Sequence, residues 1–259
     1  TEYCRGTVFG GFPWVLLGSS QVTITPVIQL ASVLGVYGVS GLVAALNAAV
    51  AAAMVSSGPR RLTAVTVGAV LFTSVALWGA LRVADGTLTH TGTSVRVGLV
   101  QGNIAQQDKW RADEAPRILD TYVALTKDAV RGGAQFVLWP ESATPSMFEA
   151  DPQVRMAVRD LVRDVRVPLL FGSDQEEDGP GGPRLYNAAF MLGPAGNTAA
   201  VYRKINLVPW GEFIPLKRYL YFVSPLVDSL TDFSPGTSIV LFPVGSHLVS
   251  TAICYEVVF

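Results

Sequence analysis

An α/β layered domain preceded by transmembrane α-helices is the architecture this sequence predicts. Three observations carry it. Residues 27–55 and 62–81 hold no charged side chain at all. From residue 95 onward, short apolar runs alternate with amphipathic ones in strand–helix–strand–helix–strand order, the signature of an α/β sheet. Pairs of apolar runs joined by tight turn signals then follow as hairpins. Half of the 259 residues are apolar and only 15% are charged, against roughly 25% in soluble domains. The shortage of charge lies in the first third of the chain. The division expected is a membrane region over residues 1–84, a polar linker over 85–94 and a globular domain over 95–259.

Roughly 20 apolar residues cross a bilayer, so 27–55 is long enough with tilt. Its small residues (Gly35, Gly38, Ser40, Gly41, Ala44, Ala45 and Ala48) suit close packing between membrane helices. The sequence SSGPRR (56–61) reads as a turn, and 62–81 as a second span. Arg60 and Arg61 place this turn on the cytoplasmic side, against the weaker opposing pull of Arg5 and Arg82. The second span then delivers residues 85–259 outside the cytoplasm. The aromatic, Gly-rich stretch in residues 1–20 reads as an interfacial segment or the tail of a helix. It lacks the basic start and cleavage site of a signal peptide.

In the globular part, VRVGLVQ (95–101) reads as a strand. Residues 113–133 read as a helix with Ile118, Tyr122, Leu125 and Ala129 on one stripe, stopped by Gly132 and Gly133. QFVLWPE (135–141) is the next strand. Asp151 and Pro152 open a helix to about Val165, with Val154, Ala157, Leu161 and Val165 facing inward. VPLLFGS (167–173) is a strand and DQEEDGPGGPR (174–184) a loop. YNAAFMLG and NTAAVYRK form a hairpin about a PAGN turn. SIVLFPV (238–244) and HLVSTAIC (247–254) form another about Gly245–Ser246.

Net charge is −1 and no basic block stands out, so nucleic acid is not an expected partner. Cys4 and Cys254, 250 residues apart, do not make a disulfide framework. His90 and His247 sit in unrelated contexts, so neither a metal nor another cofactor is expected.

Three reactive side chains follow strands or end them: Glu141 in LWPES, Lys204 in YRKINLVPWGEF and Cys254 in TAICYE. A thiol attacks as thiolate and wants a base. A carboxylate can take its proton and return it. The oxyanion that forms wants a fixed cation or N–H donors. Glu, Lys and Cys are therefore a complete set for covalent acyl transfer without a metal. Taken singly, each has a plainer reading: a solvated loop carboxylate, a solvent-facing ammonium, and a small buried hydrophobe.

The ordered strings WPES, YRK with PWGEF, and ICYE resemble the Glu–Lys–Cys triad of the nitrilase (carbon-nitrogen hydrolase) superfamily. VQGNIAQQDKW (100–110), KINLVPWGEFIP (204–215) and TAICYE (251–256), with GFPW (11–14) and the two spans, resemble its apolipoprotein N-acyltransferase branch. The resemblance implies a nitrilase-like αββα sandwich, incomplete here. It also implies a multi-pass enzyme of the bacterial cytoplasmic membrane, with its catalytic domain on the extracytoplasmic side. Cys254 would take an acyl chain from a phospholipid donor as a thioester. Glu141 would serve as base and acid, and Lys204 would steady the oxyanion. The acyl group would pass to the α-amine of a diacylglyceryl-cysteine lipoprotein, the acceptor. Glu212 matches a second carboxylate that holds Lys204 or aids proton transfer. Tyr255 and Glu256 match positions beside the nucleophile that the family needs. Trp110 matches a tryptophan of substrate handling, against its plainer reading as a hydrophobic plug.

Family members continue past the position of Phe259 and carry further membrane helices ahead of Thr1. The resemblance therefore implies a fragment, and the isolated 259 residues are not expected to turn over. Two other functions fit the same residues: a nitrilase-type amidase or carbamoyl hydrolase, and a membrane-anchored domain that only binds a partner.

Overall fold

The computed structural model describes residues 1–8, 11–179, 182–215 and 232–259. It divides into two compact units, Thr1–Thr93 and Ser94–Phe259.

The first unit is helical: α1 (Glu2–Thr7), α2 (Thr25–Ile28), α3 (Ala31–Val55), α4 (Gly58–Asp85) and α5 (Thr87–His90). Helices α3 and α4 are long and apolar enough to cross a membrane, each with a mean hydropathy of 1.9. At about 1.5 Å of rise per residue, α4 outruns a hydrocarbon core of about 30 Å, and α3, broken at Gly35, matches it with the stretch that follows. The expected turn at 56–61 shrinks to Ser56 and Ser57, because α4 already begins at Gly58 with Pro59 in its first turn. The first turn leaves N–H groups unpaired anyway, so a proline fits there without loss. Arg60 and Arg61 therefore lie on the helix rather than in a loop. Gly86, in the left-handed region at φ 61°, caps the other end. Few side chains are buried; Val27, Val39 and Leu42 form the small core.

The second unit is built on a five-stranded sheet in the order β1 (Val97–Leu99), β2 (Phe136–Leu138), β3 (Leu169–Gly179), β4 (Gly182–Leu192), β5 (Thr198–Arg203). Strands β1, β2 and β3 run parallel, joined through α6 (Ala115–Arg131) and α7 (Pro152–Val165). Strands β3, β4 and β5 are antiparallel neighbours. A separate hairpin pairs β6 (Phe242–Val244) with β7 (His247–Val249).

Side chains alternate across a strand, and both faces of the sheet are buried. Phe171, Ala188, Phe190 and Leu192 join Phe148, Trp139 and the inner faces of α6 and α7 in one core. Leu170, Ala189 and Met191 face the other way, onto Phe242, Val244, Ile253 and Tyr202. The layers are thus helices, sheet and hairpin, one side of the expected sandwich with the start of the other.

Helix α7 starts and ends where the sequence places it. The Asp151 carboxylate accepts from the N–H of Gln153 and Val154 at 2.9 and 3.3 Å, the N-cap bond that Asp favours. Its deepest row is Val154, Val158, Leu161 and Val162; Ala157 and Val165 are only half-buried. On α6, Thr126 is buried beside Ile118 and Tyr122. Its hydroxyl oxygen accepts the Trp139 indole N–H at 2.8 Å.

Two expectations fail. Residues 174–179 and 182–184 are strand rather than loop: β3 and β4 pair from Leu169↔Leu192 to Gly179↔Gly182. The acidic run is one edge of a long ladder in which Glu177 faces Arg184, so cross-strand charge pairing offsets its polarity. Nor does Cys254 end a strand. β7 stops at Val249, and Cys254 opens a short 3₁₀ helix, Cys254–Val258.

Candidate active site

Glu141 lies three residues past β2. Its loop is pinned from both sides. The Trp139 N–H donates to the Leu170 carbonyl at 2.9 Å, and the Ala143 N–H to the Gly172 carbonyl at 2.8 Å. A Cβ on Gly172 would come within 2.6 Å of Glu141 Cα and Ser142 N, so only glycine lets the loop lie this close to β3.

Lys204 follows β5 directly and is 1% exposed. Its N–H donates to the Asn187 carbonyl, and its own carbonyl accepts from Gly236 at 2.7 Å. Nζ donates to Glu212 Oε1 at 2.8 Å and stands 3.7 Å from Glu141 Oε1. The other Glu212 oxygen accepts from the Val208 N–H at 2.8 Å. One buried ammonium therefore sits between two carboxylates. A buried charge requires such partners, since desolvating a lone one is far more costly.

Cys254 stands exposed at the surface, with a left-handed backbone at φ 50°. A non-Gly residue held there signals a constrained turn. Its thiol feels the charges of both Glu141 and Lys204. Burial of the sulfur, then the Glu141 carboxylate, push the thiol above its ordinary range, while Lys204 pulls it down. The resting pair is accordingly a neutral thiol facing a carboxylate able to accept its proton. The structure brings Glu141, Lys204 and Glu212 into contact, and Cys254 is linked to them through electrostatics.

Glu256 is buried and does not face this cluster. One of its oxygens accepts from the Tyr202 hydroxyl at 2.7 Å and from the N–H groups of Ile205 and Asn206 at 2.8 and 2.9 Å. The other accepts from Ile253 N–H at 3.0 Å. A single carboxylate thus ties the segment after Lys204 to the residue before Cys254. Tyr255 is buried too, edge-on to Phe259 with ring centroids 5.2 Å apart. Trp110 is 55% exposed. Among the described residues its link to the site runs through Lys109, whose Nζ lies 5.4 Å from the indole centroid and 3.4 Å from the Glu141 carbonyl oxygen. A cavity of about 420 Å³ opens beside them, lined by Lys109, Tyr122, Leu138, Trp139 and Glu141 among others.

Sequence reasoning missed Asn187. Its side-chain N–H₂ donates to Glu141 Oε1 at 2.6 Å and to Glu212 Oε1 at 3.1 Å. A signal was present: one asparagine in the apolar strand YNAAFML. A polar group buried in such a run must find partners. It also missed Lys109 and Tyr202, although they lie within the strings VQGNIAQQDKW and YRK.

A family model for carbon-nitrogen hydrolases matches residues 96–259. The chain belongs to that family. Residues 1–49 match a second model, the N-terminal domain of apolipoprotein N-acyltransferase. The chain is similar to apolipoprotein N-acyltransferases along its whole length: 33% identical over 266 residues to that of Geobacter metallireducens, and 34% over 265 residues to that of Methylococcus capsulatus. Each alignment covers 100% of this chain and 50% of the relative, so the chain spans about half the length of the curated relatives it matches. Among solved structures, a variant of the Nesterenkonia AN1 amidase from the nitrilase superfamily is 20% identical. It aligns with a TM-score of 0.44 over 63% of this chain and 57% of that one.

Proposed function

We propose that the protein carrying this chain moves an acyl group from a phospholipid to the N-terminal α-amine of a diacylglyceryl-cysteine lipoprotein, through a thioester on Cys254. The observation that carries the reading is the buried Lys204 ammonium held between Glu141 and Glu212, with the Cys254 thiol under the influence of the same charges, in a chain whose relatives bear that enzyme's name. Glu141 takes the thiol proton as sulfur attacks the ester carbonyl. Lys204 Nζ faces the oxyanion that forms. Collapse breaks the C–O bond, and Glu141 returns the proton to the departing lysophospholipid alcohol. The amine of the acceptor then attacks the thioester. Its proton passes by way of Glu141 to the leaving sulfur. No cofactor is needed.

Glu212 holds Lys204 in place, and Glu256 fixes the Cys254 turn against the Lys204 segment. Trp110, exposed beside Lys109, is placed here at the entrance for substrate. Helices α3 and α4 anchor the protein in the bacterial cytoplasmic membrane as part of a multi-pass bundle, with the catalytic unit outside the cytoplasm. Both substrates then reach the site from the bilayer surface.

The full-length enzyme, given vesicles of acyl-labelled phosphatidylethanolamine and a diacylglyceryl-cysteine peptide, should yield labelled triacyl peptide, and Cys254→Ser should yield none. Hydrolysis of small amides without transfer from lipid would instead favour an amidase. Transfer that survives in Cys254→Ser would overturn the assignment.

A further inference from the structure

Asn187 is the polar side chain of the site that neither the triad nor its matched neighbours explain. It lies on β4, opposite Asp174 of β3, and is 4% exposed. Its N–H₂ group points two ways, to Glu141 Oε1 at 2.6 Å and Glu212 Oε1 at 3.1 Å. Both acceptors are carboxylates, so the amide orientation is fixed: only the nitrogen can face them. The cost is visible on its other side, where buried Oδ1 has no hydrogen-bond partner. A buried amide oxygen left unpaired is destabilising, a cost that its apolar neighbours on β4 do not carry.

We infer that Asn187 is a positioning residue: its amide clasps Glu141 and Glu212 around the Lys204 ammonium and keeps the Glu141 carboxylate turned toward Cys254. Lys204 Nζ alone would not do this. It sits 2.8 Å from Glu212 but 3.7 Å from Glu141, so it would leave Glu141 the looser of the two. The 2.6 Å bond from Asn187 supplies the missing restraint. The groups around Glu141 are otherwise Lys204 and Glu212 beyond β5, Cys254 on its 3₁₀ turn, Lys109 at the Glu141 carbonyl, and Asp174 on β3. To this set Asn187 adds a neutral amide donor. It can bridge two carboxylates without altering the charge balance that Lys204 sets.

This role rests on the proposed Cys254 chemistry, and its test separates the two. Full-length wild type, Asn187→Asp and Asn187→Ser would be compared in three reactions near neutral pH or above. These are Cys254 acylation from phosphatidylethanolamine vesicles, Cys254 acylation by a p-nitrophenyl ester, and alkylation by iodoacetamide at about pH 10. At that last pH, hydroxide removes the thiol proton without help from Glu141.

Both acylations should fall by about 100-fold in Asn187→Asp, the loss expected for a misplaced catalytic group, and by less in the smaller, uncharged Asn187→Ser. Alkylation at high pH should stay within about two-fold, because the sulfur itself has not moved. A purely structural role would lower all three together, and that result overturns the inference. So does ester acylation at the wild-type rate in both variants. If wild type takes no acyl group from phospholipid yet the ester reaction still depends on Asn187, the lipid assignment fails and the positioning role stands.

Discussion

Two of the chain's Leu-Phe pairs, both in apolar runs, are treated oppositely. Leu170 and Phe171 on β3 are 4% and 0% exposed; Leu71 and Phe72 on α4 are 36% and 46% exposed. In the second unit the protein supplies its own apolar surroundings from both faces of a sheet. In the first, most apolar side chains point away from the unit's own small core. Water is a poor solvent for such a surface, whereas helices with internally paired backbones suit a bilayer. Similar hydrophobicity thus builds a core in one place and, in the other, an exposed apolar surface long enough to cross a membrane.

The sharpest way to break that comparison is to truncate both aromatics in the full-length protein and follow unfolding in detergent. Phe171→Ala should cost about 3–5 kcal/mol. Phe72→Ala should stay within about 0.5 kcal/mol. Equal losses would mean that α4 is a core helix. A charge tests the same contrast by insertion. Val70→Arg, midway along α4, should oppose membrane insertion by about 2.5–3.5 kcal/mol, measured by alkaline extraction of membranes. Met156→Arg, exposed on α7, should leave insertion unchanged.

Polar groups sharpen the contrast further. Buried Glu256 accepts four hydrogen bonds, whereas buried Ser40 accepts one, from Gly18 N–H at 2.8 Å. Glu256→Gln sets an amide N–H₂ against at least one donor. It should cost about 1–3 kcal/mol and slow Cys254 acylation, whereas Ser40→Ala should cost about 0.5–1.5 kcal/mol with no effect on acylation.

The smallest effect is a shift in pH dependence. The Glu141 carboxylate, by its charge, helps hold the Cys254 thiol up. Glu141→Gln removes the charge and leaves burial, the larger cause, in place. Thiolate then forms at lower pH, so the midpoint of iodoacetamide alkylation should move down while transfer from lipid is lost. A midpoint that rises would contradict the Glu141–Cys254 pairing.

Much of this was legible in the sequence where one physical signal dominated. The absence of charge over residues 27–55 and 62–81 marks α3 and α4, and Asp151–Pro152 marks the start of α7. Glu141, Lys204, Glu212 and Cys254 were named from their motifs, and the first three stand in contact. What local pattern could not carry was pairing at a distance. The acidic run 174–178 reads as a loop until Arg184 and Arg203 are set beside it. Glu256 reads as a neighbour of the nucleophile until its four donors, three of them about 50 residues back in sequence, are known. Asn187 reads as one polar residue in a strand until two carboxylates fold onto it.

The account's central claim is that the Cys254 sulfur becomes acylated with Glu141 as its proton acceptor. Its most direct test is peptide mass spectrometry of the full-length enzyme, held with phospholipid vesicles and no acceptor. The account predicts a fatty-acyl mass on the peptide bearing Cys254, labile to hydroxylamine and missing in Glu141→Gln. An acyl group on another residue, or an undiminished one on Cys254 in Glu141→Gln, would contradict it.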